Sequence, residues 1–242
     1  MSMLRKSSLN LIVLFCLLGI FIALQGQTQA SDVDEDQLGA WYMYFWSTRL
    51  KESRFGFQGD FQFRNWNLGG DLEQLLLRGG LTYNPASIGV KFTLGYAYIL
   101  NGEFGSSNDD TFHENRIYQE ALLPQKLGGR TYLNHRFRFE QRWVEDQDFR
   151  TRFRYNLMIN IALNRKELIK GTYYYAFYNE IFINGEQDIG DDKEVEYFDR
   201  NRFYNAIGYC ITDTLRFQGG YMYQITDNWE KGQIQVGLHH SF

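Results

Sequence analysis

Six arginines stand in residues 135–156, HRFRFEQRWVEDQDFRTRFRYN, in two runs that place arginine at every second position or nearly so. The planar guanidinium group of arginine makes paired hydrogen bonds with carboxylates and phosphates. The segment could therefore bind nucleic acid, form a site for small anions, or supply ion pairs that a fold requires. The six residues are Arg136, Arg138, Arg142, Arg150, Arg152 and Arg154.

The spacing of these arginines argues against nucleic acid as a ligand. Successive side chains of a strand point to opposite faces, so the arginines share one face and Phe137, Phe139 and Phe153 share the other. Stacking on unpaired bases requires aromatic side chains on the same surface as the cations. The formal net charge of −4 also disfavours a polyanion. An ion-pair network and an anion-selective constriction both remain open.

Residues 145–148, between the two runs, are too few for anything but the turn of a β-hairpin. Other charged residues occupy the same face of the neighbouring predicted strands, where carboxylates can pair with the arginines. We predict that the charge network lines the lumen of a barrel. Its predicted members are Arg136, Arg138, Glu140, Arg142, Arg150, Arg152, Arg154, Glu114, Arg116, Glu120, Glu180, Arg200 and Arg202.

A lipid-modifying hydrolase is the alternative from another functional class. His239 and Ser241 share a face two residues apart, and His135 is predicted to face lipid, but no third group that would orient a catalytic base is identifiable. We therefore predict no catalytic residue, no cofactor and no metal site.

The first thirty residues have the features of a secretory signal peptide. Arg5 and Lys6 precede an apolar run from Leu9 to Leu24, and small residues end at Ala30. We predict residues 1–30 as the signal peptide and 31–242 as a single domain. Cys210 is the one cysteine of that domain, so it cannot form an internal disulfide.

Apolar and polar residues alternate with period two through nearly the whole domain, which indicates strands with two different faces. Most candidate strands are longer than the five or six residues common in soluble sheets and are long enough to cross a bilayer. A soluble sandwich or a lipocalin-type barrel would also alternate, with the apolar face inward. The polar face favours the membrane barrel because it carries arginine, glutamine and glycine. The candidates are residues 37–49, 53–66, 71–84, 88–101, 112–123, 129–144, 149–163, 168–184, 197–210, 213–226 and 230–242.

The predicted connections alternate between short turns and the longer acidic loops at 101–111 and 184–196, a pattern typical of bacterial outer-membrane barrels. Such barrels usually have an even number of antiparallel strands, so eleven candidates predict ten to twelve. The tryptophans, including Trp41 and Trp66, are predicted to anchor the barrel at the membrane interfaces. Pro85 and Pro124 are both predicted to lie in short turns.

Six segments of the predicted domain carry a resemblance to a known family: LGAW at 38–41, RFRFEQRW at 136–143, RFRY at 152–155, YNEIF at 178–182, FDRNRFY at 198–204 and GGYMYQ at 219–224. Through them the chain resembles the outer-membrane β-barrel family known as domain of unknown function 2490. The resemblance implies a barrel and brings no activity with it. Phe242 and the apolar residues at alternate positions back to Ile234 also resemble the C-terminal signal that the bacterial barrel-assembly machinery reads.

Together these features predict an all-β protein, a single antiparallel transmembrane barrel of the Gram-negative outer membrane. We expect a monomer whose partners are outer-membrane lipid and, during biogenesis, the assembly machinery. The predicted role is a narrow or gated, porin-like small-solute channel or a structural envelope barrel, with no nucleic-acid partner and no enzymatic activity.

Overall fold

The computed structural model describes residues 33–105 and 111–242, so the predicted signal peptide lies outside the described residues. Among those residues the protein is all-β, and none of them forms a helix long and apolar enough to cross a membrane. Eleven strands form one closed barrel. The strands are β1 (Gly39–Arg49), β2 (Phe55–Asn65), β3 (Leu72–Tyr83), β4 (Lys91–Gly102), β5 (Thr111–Leu127), β6 (Thr131–Val144), β7 (Arg150–Ala162), β8 (Tyr173–Asn184), β9 (Phe198–Cys210), β10 (Leu215–Thr226) and β11 (Glu230–Ser241).

The barrel closes through a parallel pair, so the prediction of a fully antiparallel barrel is wrong, whereas the count of eleven lies within the predicted ten to twelve strands. Each strand pairs antiparallel with its neighbours along the chain, whereas β1 pairs with β11 in parallel, with Gly39 opposite Gln233 and Ser47 opposite Ser241. An odd number of up-and-down strands makes the first and last strands run in the same direction. Closure of eleven strands therefore requires this parallel seam.

The alternation of side chains separates an apolar outer face from a polar inner face. Large apolar side chains stand exposed on the outside along the strands, including Phe61, Leu94, Phe153 and Ile207, each more than half exposed. Their neighbours in sequence point inward, where arginine, glutamate, asparagine and glutamine are buried. The outward apolar face is the arrangement that the sequence pattern predicts for a membrane barrel.

The two ends of the barrel differ in their connections. We name the end with the thirteen-residue connection at 185–197 the loop end, and the opposite end the turn end. The prediction of uniformly short turns at the turn end is wrong for one connection, because residues 163–172 form a ten-residue segment before β8 begins. Leu168 of that segment packs against the apolar cluster inside the barrel, and the amide of Gly171 donates to the carbonyl oxygen of Cys210 at 2.8 Å.

Pro124 lies within β5, opposite Asn134 of β6, and not in a turn as the sequence suggests. The ladder between β5 and β4 ends at Leu122. Beyond that residue β5 has a neighbour on one side alone, so the N–H that proline lacks can be missing from the unpaired side without loss.

Candidate functional site: the charged lumen

The β6–β7 hairpin brings like charges directly opposite one another. Arg138 faces Arg154, and Arg142 faces both Arg150 on β7 and Arg116 on β5. Directly opposed like charges destabilise a strand pair unless other groups compensate them. The compensation comes from buried carboxylates on the same inner face.

Glu140 is the centre of this compensation. Its side chain is 1% exposed, and its carboxylate oxygens lie 2.7 Å from Arg152 Nη2 and 2.7 Å from Arg154 Nη1. Arg138 Nη1 and Arg116 Nη1 lie further out, at 3.6 and 3.8 Å. Four guanidinium groups thus surround one carboxylate, which makes Glu140 the most shared partner of the network.

Three other predicted carboxylates each bridge two arginines. Glu114 binds Arg116 and Arg142 at 2.6 and 2.5 Å. Glu120 lies 2.6 Å from Arg138 and 3.8 Å from Arg136, and Glu180 lies 2.6 Å from both Arg136 and Arg154. These pairs connect β5 to β8 along the inner wall. The structure therefore brings most of the predicted lumen residues together in one ion-pair network.

Two predicted arginines stand apart from it, because neither Arg150 nor Arg202 has a carboxylate within 4 Å among the described residues. Arg202 Nε donates instead to the amide oxygen of Gln224 at 2.6 Å. Arg200 is paired with Asp199, a carboxylate outside the predicted set. Asp199 lies where the register between β8 and β9 is irregular.

Sequence reasoning missed a second group of lumen residues on β1 to β3. The predicted interfacial role of Trp41 is wrong: the residue is 2% exposed inside the barrel, where its Nε1 donates to Glu73 at 2.7 Å. The guanidinium carbons of Arg64 and Arg202 lie 3.7 and 4.7 Å from the centroid of its ring. The same-face position of Trp41 and Arg64 in neighbouring strands is the signal that could have placed both residues inside.

Trp66, also predicted at the interface, is buried at the loop end. Its ring makes edge contacts with Phe104 and Trp229, with centroids 5.7 and 5.6 Å apart. Its Nε1 donates to the carbonyl oxygen of Gly102 at 3.0 Å. These three aromatic residues lie at the mouth of the lumen.

The lumen is divided into two chambers. The loop-end chamber has a volume of about 440 Å³ and is lined near its mouth by Trp66, Phe104 and Trp229. The turn-end chamber, of about 430 Å³, is lined at its far end by Leu168, His239 and Ser241. Four side chains line both chambers, and all four are arginines: Arg64, Arg78, Arg154 and Arg202. We name these four residues the arginine layer.

The interior carries a positive excess. Among the described residues, the buried side chains include ten lysines and arginines against six aspartates and glutamates, an excess of four positive charges. The whole chain has the opposite sign, with a net charge of −4. The excess is therefore a property of the inner wall, where a low dielectric strengthens its effect.

Of the residues considered for a hydrolase, His239 and Ser241 both line the turn-end chamber, and His135 does not. His135 Nδ1 lies 2.8 Å from the hydroxyl of Tyr155 on the outer face, whereas the ring of His239 stacks on Phe45 inside the barrel, with centroids 4.7 Å apart. The hydroxyl of Ser241 accepts from Ser47 at 3.3 Å. Within the described residues, no group of three or more histidine, cysteine, aspartate or glutamate side chains could hold a metal ion. Phe242 follows β11 at the turn end and is exposed.

The comparison with family models confirms the resemblance seen in the sequence. The model described as a protein of unknown function, DUF2490, matches residues 38–235, from the start of β1 into β11. No curated protein and no solved structure matches the chain.

Proposed function

The chain belongs to the DUF2490 family of proteins of unknown function, and from its own architecture we propose that it is an outer-membrane β-barrel forming a narrow, gated pore for small solutes. Membership of the family brings no activity with it. The proposal rests on the outer surface for the location of the protein, and on the arginine layer for its role.

The outer face is suited to contact with lipid. Besides the exposed apolar side chains of the strands, an apolar groove of about 760 Å³ crosses it, with Leu81, Leu94, Phe137, Phe153 and Ile181 among its lining residues. An exposed apolar surface that extends around a barrel is unfavourable in water and favourable in a bilayer.

The polar groups on that outer face are paired with one another. Gln119 Nε2 donates to Gln141 at 3.1 Å, Asn179 Nδ2 donates to Asn201 at 2.7 Å, and the hydroxyl of Tyr175 donates to Asn205 at 2.5 Å. A surface in water has no need of such cross-strand pairs, because water satisfies each group. In hydrocarbon an unpaired polar group is costly, so the pairing supports lipid as the surrounding medium.

The observation that carries the pore is the shared lining of the two chambers. They extend from opposite ends of the barrel, and the four residues that line both of them are all arginines. Long arginine side chains can move within a fixed barrel, whereas a plug domain would have to be displaced. A layer of arginines across a narrow lumen forms a barrier to cations and a passage for small anions.

Membrane location is tested by fractionation of cells that express the full-length protein. We expect the protein in the outer-membrane fraction, with a band on unboiled gels that shifts on heating, as a folded barrel gives. Recovery in the soluble periplasm without such a shift would contradict the location.

The pore is tested by conductance of the purified barrel in planar bilayers. We expect small conductance steps with a preference for chloride over potassium, measured as a reversal potential in a salt gradient. The double variant Arg64→Ala and Arg202→Ala should conduct several-fold more with weaker anion preference, because it removes two of the four arginines that divide the lumen. Among the described residues, neither of these two arginines has a carboxylate within 4 Å that its loss would leave unpaired.

Arg216→Ala is the matched control, since Arg216 lines the turn-end chamber alone. Its conductance should stay close to that of the unmodified protein. If neither the unmodified barrel nor the double variant conducts while both show the folded band, the pore is wrong and a structural envelope barrel remains.

A further inference from the structure

Three buried arginines of the loop-end chamber stand outside the ion-pair network that the described residues form. Arg64, Arg150 and Arg202 line the chamber, are 5%, 8% and 5% exposed, and have no carboxylate within 4 Å among the described residues. They come from β2, β7 and β9, no two of which are neighbours in the barrel. Among the described residues, the chamber thus receives from three sides guanidinium groups that no carboxylate contacts directly.

The direct hydrogen-bond partners of Arg64 and Arg202 are neutral amides. Arg64 donates to the amide oxygens of Gln62 and Gln74, and its guanidinium carbon lies over the ring of Trp41, 3.7 Å from the centroid. Arg202 donates to Gln224, and its guanidinium carbon lies 4.7 Å from the ring centroids of both Trp41 and Phe182. Neutral amides and aromatic faces orient a cation at a modest gain in energy, and they leave its charge in place.

Among the described residues, Arg150 has a buried hydrogen-bond donor that is not satisfied. Its Nε is buried and has no hydrogen-bond partner among the described residues. The opposite residue on β6 is Arg142, a second cation, which is already bound to Glu114. A buried charged donor without a partner is costly, and an anion in the chamber would remove that cost.

The size and the lining of the chamber define the anion. A volume of about 440 Å³ lies in the range of small-molecule sites. Arginines line the chamber together with the aromatic residues Trp66, Phe104 and Trp229 at its mouth. We propose that the loop-end chamber binds a soluble small organic anion, whose phosphate or carboxylate group contacts Arg64, Arg150 and Arg202 and whose apolar body lies against the three aromatic rings.

This proposal rests on the proposed function and names the class of solute that the same lumen binds.

The acidic loops at the loop end should affect the rate at which an anion enters the chamber more than its affinity for the site. The described loop-end connections contain twelve aspartates and glutamates and one lysine. Their field is screened over about 8 Å at physiological ionic strength, so added salt should speed the association of an anion that enters from the loop end.

The test uses isothermal titration calorimetry on the folded, purified barrel in a non-ionic detergent. The probes are phenyl phosphate, inorganic phosphate, and phenyltrimethylammonium as a cation of similar shape. We expect saturable binding of one phenyl phosphate per barrel, weaker binding of inorganic phosphate, and no binding of the cation. Stronger binding of inorganic phosphate than of phenyl phosphate would contradict the role of the aromatic mouth.

Variants locate the site. Arg202→Gln should weaken the affinity for phenyl phosphate by about tenfold or more, the usual effect of losing one charge-assisted contact. Arg150→Gln tests the same site independently if Arg202→Gln lacks the folded band. Arg216→Gln, in the other chamber, should bind as the unmodified protein does. Equal affinity in all three variants, or no saturable binding, would overturn the proposal.

Conductance and binding measurements distinguish a failure of the proposed pore from a failure of the proposed anion site. A barrel that conducts and binds no anion contradicts the binding site and leaves the pore in place. A barrel that binds phenyl phosphate and never conducts contradicts the pore and supports a binding chamber closed by the arginine layer.

Discussion

The inner wall of the barrel is filled in two different ways. On β5, β6 and β7 it is filled by ion pairs, with Glu114, Glu120 and Glu140 buried among arginines. Around β8 to β10 and the start of β1 it is filled by an apolar cluster of Trp41, Tyr174, Ala176, Tyr204, Ala206, Cys210 and Met222. We name these regions the charged sector and the apolar sector.

The two sectors should differ in how much stability is lost when a single residue is substituted. A buried ion pair gains little over a well-packed apolar pair, but the loss of one partner leaves an uncompensated charge in a low dielectric. An apolar cluster loses contact area and gains a cavity when one member is truncated, and its neighbours can relax. The charged sector should therefore be less tolerant of single substitutions.

The largest effect is expected for Glu140→Gln. The substitution preserves shape and removes the carboxylate that four arginines surround. The free energy of unfolding should fall by about 3–5 kcal/mol, the usual cost of breaking a buried pair on one side. Urea unfolding in phospholipid vesicles, followed by tryptophan fluorescence, measures the change.

Glu167→Gln is the control, because Glu167 pairs with Lys126 where both side chains are well exposed, with 3.2 Å between Nζ and Oε1. It should leave the free energy of unfolding close to that of the unmodified protein, because solvent screens an exposed ion pair. Similar values for the two variants would mean that burial of the network contributes nothing.

A smaller effect is expected for Met222→Ala in the apolar sector. Met222 is fully buried on β10, opposite Tyr204 of β9. Removal of its side chain should cost about 2–3 kcal/mol, toward the lower end for buried methionine, because the tyrosine rings beside it can shift into the space. The same urea titration checks it, with Ile211→Ala as a control at a half-exposed turn position. A loss as large as that of Glu140→Gln would remove the distinction between the sectors.

The sequence predicts the strands well because each one has two unlike faces. Alternation locates all eleven, and β6 and β7 begin and end within two residues of their predicted limits. The parallel seam could not be predicted in this way, since the pattern within a strand is the same whether its neighbour is parallel or antiparallel. The rule of even strand number therefore favoured a fully antiparallel barrel, and this barrel of eleven strands departs from that rule.

The charged side of the site could be predicted for the same reason, and its aromatic side could not. Arginines and glutamates on a shared face must pair inside the barrel, so Glu140 and Arg152 are visible from spacing alone. Trp41 and Phe182 are residue types that belong equally well to the lipid interface. Their position under guanidinium groups depends on which face of β1 and β8 turns inward.

The two sectors share one feature of packing: each places a tyrosine ring over a glycine of a neighbouring strand. Tyr174 of the apolar sector covers Gly208, where an added Cβ would lie 2.0 Å from Cζ of the ring. Tyr118, whose ring lies under the guanidinium of Arg138, covers Gly95 in the same way, with 2.2 Å to Cζ.

The smallest effect is expected for Gly208→Ala and Gly95→Ala. Each methyl group should displace the covering ring and cost about 1–3 kcal/mol in the free energy of unfolding, as overpacking usually does. Gly79→Ala is the control, because nothing lies within 4 Å of its added Cβ, and it should be close to neutral. Equal costs at Gly208 and Gly95 would mean that ring packing is the same in both sectors, so that the ion pairs alone distinguish them. A larger cost at Gly95 would mean that displacement of Tyr118 also disturbs Arg138, and that the charged sector depends on its aromatic support as well as on its carboxylates.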